Sequence, residues 1–476
     1  MTISRSEILA LLPMMAIGGG AIVLMAAIAW KRRHALAAAV AVLAIAAACA
    51  SLFAAATVAP RQVTSLLLVD RFALFNAGLI LFTAAATAVI AYPYFEKREG
   101  RAEEFYLLLL IATLGCMTLV ESAQFVTFFL GLEILSVSLY GLIAYLNERR
   151  HALEAGIKYL ILAAASSAFL LFGMALVYAD LGTMEFARIG ELLRTTTNPA
   201  WDLAAMVLMV TGIGFKLGLV PFHLWTPDVY QGAPAPVAGF IATASKTALV
   251  ALLLHYFYTA RAAQPMYTVF ATIAIASMLG GNLLALYQQN VKRILAYSSI
   301  AHFGYVLVAF LASGAAAVEA VVFYLVAYTV TTLGAFGILA GISPTERDAG
   351  AMEDFGGLLW RRPAMAAAFA AMLLSLAGIP LTAGFFAKFY VIAAGAGAGR
   401  WALLFVLVAG STIGLSYYLR IVVAMCATSP EVVESPGRMP IAGAAVVAIL
   451  AIVLVWLGVY PLPLMEWVRR ASLAGM

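Results

Sequence analysis

The chain has 476 residues, of which 64% are hydrophobic and only 11% charged, with a formal net charge of +5. A soluble domain carries about a quarter of its residues as charges, so this composition, with a mean hydropathy of +1.01, excludes an ordinary water-soluble protein. Apolar runs recur along the whole length, each able to cross ~30 Å of hydrocarbon as a helix. Strand-like alternation is absent, and only helices would then satisfy their own backbone groups in lipid.

About fourteen transmembrane helices are predicted, at 8–30, 35–57, 72–92, 104–120, 123–145, 152–179, 201–220, 236–258, 267–287, 293–312, 316–341, 364–398 (interrupted), 401–426 and 440–463. The first run ends in KRRH and is too long for the apolar part of a signal peptide, so it reads as an uncleaved span. With no Arg- and Ser-rich transit segment, a bacterial inner (plasma) membrane is expected. The basic residues alternate in density between the two sets of loops. One set holds Lys31, Arg32, Arg33, Lys97, Arg98, Arg101, Arg149, Arg150, Lys292, Arg293, Arg347, Arg361, Arg362 and Arg438. The other holds Arg5, Arg61, Arg71, Arg188, Arg194, Arg261, Arg400, Arg469 and Arg470. The richer set belongs in the cytoplasm, which puts both termini in the periplasm.

No loop is long enough for a soluble domain; those at 181–200 and 342–362 have room only for a short surface helix. A single membrane domain is predicted, divided into three N-terminal helices (1–100), a first repeat (101–260), a second repeat (261–428) and a C-terminal helix (429–476). Two spans are interrupted. FKLGLVPFHLWTPDVYQGAPAPV (215–237) breaks around Pro221, and SLAGIPLTAGFFAKFYVIAAGAG (375–397) breaks at Gly378 to Gly384. Paired interrupted spans mark internally repeated transporter folds, and their spacing suggests repeats of five helices. The two blocks show no sequence similarity by eye.

Four ionisable residues lie deep in apolar runs: Glu133 in FFLGLEILSVSLYGL, Lys216 in TGIGFKLGLV, Lys246 in AGFIATASKTALVALLL and Lys388 in TAGFFAKFY. A charge at the bilayer centre costs from ~3 to more than 10 kcal/mol, so each must face a protein interior or a hydrated cavity. One glutamate does not neutralise three lysines. Burial disfavours the charged form of a lysine and a nearby carboxylate restores it, so such a set can act as a switchable proton relay. Moving one charge against ~150 mV costs about 3.5 kcal/mol, within reach of pairing and unpairing a buried charge. The bland alternative is that Glu133 and the lysines merely lock helices together.

His302, His223 and Lys158 are further candidates for relay or gating. His302 lies mid-span beside Ser298, Ser299 and Tyr305, where a satisfied core histidine is an equal alternative. His223 adjoins the first break and could instead bond a freed carbonyl. Lys158 pairs with Glu154 at i,i+4 near a span end, where reaching toward water is the default. Asp228 reads as a helix cap. Cys49, Cys116 and Cys426 have no metal, cluster or disulfide spacing and read as small packing residues. GIGFKLG does not fit a dinucleotide fingerprint, since it lies inside a span and follows no strand.

GFKLGLVPFHLWTPDVYQGAPAPV, VKRILAYSSIAHFGYVLVA and AGIPLTAGFFAKFYV resemble the antiporter-like membrane subunits of respiratory complex I, and the likeness covers essentially the whole chain. The resemblance implies an all-α fold of 14 helices with two inverted five-helix repeats, the seventh and twelfth helices being broken. It implies a proton path through the fifth-helix glutamate and lysines of helices seven, eight and twelve, which fall on Glu133, Lys216, Lys246 and Lys388. It further implies a non-redox subunit of an NADH:quinone oxidoreductase, with no cofactor or metal in this chain. NADH, FMN, iron–sulfur clusters and quinone would belong to partner subunits. Those partners would be the peripheral subunits, an M-type subunit and small membrane subunits, with the bilayer and no nucleic acid. The alternative reading is a subunit of a multisubunit Na+/H+ antiporter, which shares the lysine–glutamate plan.

Overall fold

The computed structural model describes residues 4–98, 100–193, 199–260, 264–427 and 439–473; the sequence-predicted loop charges Arg194, Arg261 and Arg438 lie outside them. In chain order the helices are α1 (Arg5–Trp30), α2 (His34–Ala56), α3 (Arg71–Glu96), α4 (Glu103–Val120), α5 (Phe125–Ile143), α6 (Arg150–Leu181), α7 (Phe186–Leu192) and α8 (Pro199–Leu217). There follow α9 (Trp225–Gly232), α10 (Ala235–Phe240), a π-helical turn at Ile241–Ser245, α11 (Lys246–Ala260), α12 (Gln264–Leu286), α13 (Val291–Ala312) and α14 (Ala315–Ile342). After a 3-10 turn at Met352–Phe355 come α15 (Leu358–Arg361), α16 (Pro363–Ala377), α17 (Ala383–Gly397), α18 (Trp401–Cys426), α19 (Ile441–Val459) and α20 (Leu462–Leu473). Among the described residues thirteen runs are long and apolar enough to span a membrane, and α16 and α17 are a shorter apolar pair.

Alanine and leucine dominate these helices and favour them intrinsically. Their starts are set by local chemistry. Ser4 and Glu7 form a reciprocal capping box on α1, Asp70 accepts from Ala73 N to cap α3, and Asn290 accepts from Arg293 N to cap α13. Hydrophobicity alone does not say which helices are central. Ala235–Tyr256, α13 and α14 are almost wholly enclosed by protein, whereas α1 and α2 bury only one side. One continuous apolar core runs from α1 to α20.

Three sequence expectations need correction. Strands are present: β1 (Arg61–Val63) and β2 (Leu67–Val69) form an antiparallel hairpin with Gln62 opposite Leu68. Three residues per strand are too few for alternation to register in a sequence. The segment predicted as a single C-terminal helix contains two, because Pro461 follows α19 and the amphipathic α20 begins immediately after it. Lys292, counted among loop charges, is only 1% exposed inside α13.

The basic loops meet on one face. The buried carboxylate of Asp348, between α14 and the 3-10 turn, accepts from Tyr94 of α3 at 2.6 Å, from Lys292 at 2.9 Å and from Ala235 N at 2.9 Å. Arg98 and Arg149 complete the cluster at 3.6 and 3.5 Å. On the opposite face the hairpin is bridged to Ser122 through Leu67, and Gln124 to Glu185.

Candidate functional site

Each interrupted span ends its first half on a left-handed glycine that touches a lysine. Gly218, with φ +71°, follows α8 two residues after Lys216; a β-carbon there would sit 2.5 Å from Thr226 Oγ1 and 3.6 Å from Lys246 Nζ. Gly378, with φ +87°, ends α16; a β-carbon there would sit 2.9 Å from Lys388 Cδ and 3.2 Å from its Nζ. Only glycine adopts this backbone without strain; a β-carbon would clash with Thr226 at the first break and crowd the Lys388 side chain at the second. The carbonyls released at each break are taken up locally. The Trp225 indole donates to Phe215 O at 2.8 Å. Lys388 Nζ donates to Leu376 O at 2.9 Å, Ala377 O at 2.8 Å and Ser411 Oγ at 2.7 Å.

Lys216, Lys246 and Lys388 are all buried. Lys216 Nζ donates to Ser136 Oγ at 2.7 Å. Glu133 lies three residues earlier on α5, is partly exposed, and accepts from Ser167 of α6 at 2.5 Å. No ion pair joins Glu133 to Lys216 among the described residues. Serines stand beside both charges, so this is not a simple salt-bridge lock. Lys246, directly after the π turn, donates to Ser299 Oγ at 2.8 Å and lies over the Phe303 ring at 4.6 Å. Cation–π contact and a hydroxyl soften the cost of that burial without a carboxylate.

From Ser299 a polar column continues along α13. Ser298 is hydrogen-bonded to Tyr418 of α18, whose hydroxyl lies 3.3 Å from His302 Nε2. His302 Nδ1 is bonded to Tyr324 of α14 at 2.6 Å. A small cavity follows, lined among others by His302, Tyr324, Thr331, Ser375, Leu376 and Gly384. It lies between the histidine and the second break, where Leu376 O meets Lys388. His302 thus lies between Ser298 and the second break, with both ring nitrogens bonded to tyrosines and no hydrogen bond to a lysine among the described residues.

The other candidates are placed differently. Lys158 is half-exposed and tied to Glu154 at 2.7 Å and Asp228 at 2.9 Å; Asp228 also holds Arg293 at 2.7 Å. Asp228 sits on α9 just past the first break, so it ties that helix to α6 and α13 rather than simply capping it. His223 lies in the break itself, is hydrogen-bonded to the backbone at Pro221, and keeps a buried Nδ1 without a partner among the described residues. Sequence reasoning missed Ser167, Tyr324, Ser411 and Tyr418, and named Ser299 only as a neighbour of His302. Isolated hydroxyls in apolar spans were their only signal, and α3 alone has several such residues outside the column.

Fold and site together define a polytopic helical membrane protein organised around two broken helices and buried lysines. The chain belongs to the NADH:quinone oxidoreductase/Mrp antiporter membrane family, which it matches over residues 122–414. It is 47% identical over 470 residues to the NADH-quinone oxidoreductase subunit N of Chromohalobacter salexigens, covering 98% of this chain and 99% of that one. A chain of respiratory complex I from Thermus thermophilus superposes with a TM-score of 0.82 at 34% identity, covering 95% of this chain and 98% of that one. A chain of the Mrp complex from Dietzia shares the fold, with a TM-score of 0.86 at 20% identity over 99% and 97% of the two chains.

Proposed function

We propose that the protein is a proton-translocating membrane subunit of a respiratory complex I in a bacterial inner membrane. It works beside other membrane and peripheral subunits, an M-type subunit among them. In this reading NADH, flavin, iron–sulfur and quinone chemistry belongs to those partners, and this chain holds and moves protons. The carrying observation is the pairing of each helix break with a left-handed glycine set against a buried lysine. Glu133 is the switching carboxylate. When it approaches Lys216, the ammonium form is favoured; when it withdraws, the proton is driven past the Gly218 break toward Lys246. His302, with Tyr418 and Tyr324, passes it from Lys246 toward Lys388, whose breaks and hydroxyls hold the ammonium until release. His223 gates the first break, and the half-exposed Lys158 gathers protons at its basic mouth. The excess of Lys and Arg on the Asp348 face supports a cytoplasmic position for that face and periplasmic termini.

The closely similar subunit N relative favours complex I over a Na+/H+ antiporter, since the Mrp likeness is one of fold. The test is to tag the chain, extract it gently and assay the eluate. NADH:quinone activity blocked by a quinone-site inhibitor is expected. Antiporter subunits without NADH oxidation would sink this assignment. Given the complex, Lys216→Ala should lower protons translocated per NADH; unaltered pumping would leave only a structural role.

A further inference from the structure

Glu121 follows α4 on the face opposite the basic loops. It is 0% exposed, and neither carboxyl oxygen has a hydrogen-bond partner among the described residues. Its backbone carbonyl is held by Leu68 N of the hairpin. Asp70, 2% exposed, is the charged group that acts on it, with its own Oδ1 committed to Ala73 N. The other ionisable groups on surrounding elements are engaged or turned away. Arg61 of β1 reaches Ser4 and Glu7, Arg71 is exposed, Glu185 lies beyond the Gln124 bridge, and His255 of α11 packs edge-on to Phe72. A buried carboxylate without a cation or donor is unfavourable. Burial, and then the charge of Asp70, push the carboxyl up to about 8.

A polar face leads from this group into the protein. Asn76, Thr83 and Thr87 of α3 are buried and recur at seven and four residues, which aligns them on one side of the helix. Asn76 Oδ1 and Thr87 Oγ1 have no hydrogen-bond partner among the described residues. α3 runs beside α10, the π turn and α11, the elements carrying Thr243 and Lys246. Both α3 and α10 are pinned at the basic end to Asp348. At ~1.5 Å per residue, Thr83 lies ~16 Å from the Tyr94 pin and Lys246 ~16 Å from the Ala235 pin, so the two are at matching depth, with Thr87 one turn nearer the basic end.

We infer that Glu121 is a second proton-release site, on a branch that leaves the relay at Lys246 and follows the Thr83–Asn76 face of α3. The inference rests on the relay reading. An N–H bond of Lys246 breaks, leaving a neutral amine, and an O–H bond forms on Glu121. Thr83 passes the proton to a chain of waters across the two turns that separate it from Asn76, and Glu121 yields it to water at the face opposite the basic loops.

The test uses the intact complex in liposomes and compares protons translocated per NADH for Glu121→Gln, Glu121→Asp and Lys246→Ala. Release at Glu121 requires Glu121→Gln to lower the ratio, by less than Lys246→Ala because that variant also stops transfer toward Lys388, and Glu121→Asp to recover most of the loss. A carboxyl C=O infrared band titrating near pH 8 and missing in Glu121→Gln is the second expected result. A lowered ratio in Lys246→Ala with an unaltered Glu121→Gln overturns the Glu121 assignment alone. No change in Lys246→Ala overturns the relay and this site with it. Should Glu121→Gln not assemble, Thr83→Val carries the test, and an unaltered ratio there counts against the route.

Discussion

Lys388 shows how a single side chain serves both stability and transfer. Its amine satisfies two carbonyls that the second break releases. Lys388→Ala should therefore do more than remove a titratable group. Ala377 O keeps a bond from Ser411, but Leu376 O loses its donor at ~1–3 kcal/mol, so thermal stability in detergent should fall together with pumping. Gly378→Ala separates the two effects. It keeps every ionisable group but imposes a left-handed backbone on alanine, at ~1–2 kcal/mol, and a methyl 3.2 Å from Nζ. The expected outcome is a lower proton-to-NADH ratio in proteoliposomes with Lys388 still present, and Gly378→Ala pumping normally would show that the amine tolerates displacement.

Among the elements, the short loop carrying Asp348 is the most consequential. Burial alone would raise its carboxyl, but the Lys292 charge, the Tyr94 hydroxyl and Arg98 hold it below the usual carboxylate range. A depressed carboxyl contributes stability above its unfolded value and loses it only as the pH falls through the folded one. Asp348→Asn should thus cost ~3–5 kcal/mol, because buried cations lose their counter-charge. That difference in detergent melting should stay constant from about pH 6 to 8. The broken spans and their lysines were legible in the sequence, since proline, glycine and a costly charge are all local signals. Asp348 was not: a loop aspartate looks solvated until Tyr94, Arg98, Arg149 and Lys292 are brought to it from distant parts of the chain. Lys292 was misread for the same reason, and Glu121 passed as a loop residue because its burial comes from the hairpin and α3.

Across the whole molecule, the enclosed helices carry the polar column while the outer ones supply apolar cover. The C-terminal α20 closes against α14 and α3. Its Arg469, more than half exposed, approaches the largely buried Glu319 at 3.3 Å; so long a contact with one partner in water is worth only ~1 kcal/mol. Met465 and Val468 are buried, so apolar packing should hold this helix in place. Arg469→Ala is expected to leave thermal stability nearly unaltered, whereas Val468→Asp should loosen the complex in detergent. Equal losses from both would assign the anchoring to the ion pair.

The Asp348 cluster also bears on how the chain is made. Arg98 and Arg149 are synthesised long before the carboxylate that accompanies them in the finished protein. Until residue 348 emerges, those two guanidinium groups have no counter-charge from this cluster and must stay in contact with water. The basic end of the early helices therefore remains open during translation and draws shut only after α14 has been inserted. Chains stalled before Asp348 should accordingly be more readily cleaved by protease near Arg98 and Arg149 than chains stalled after it.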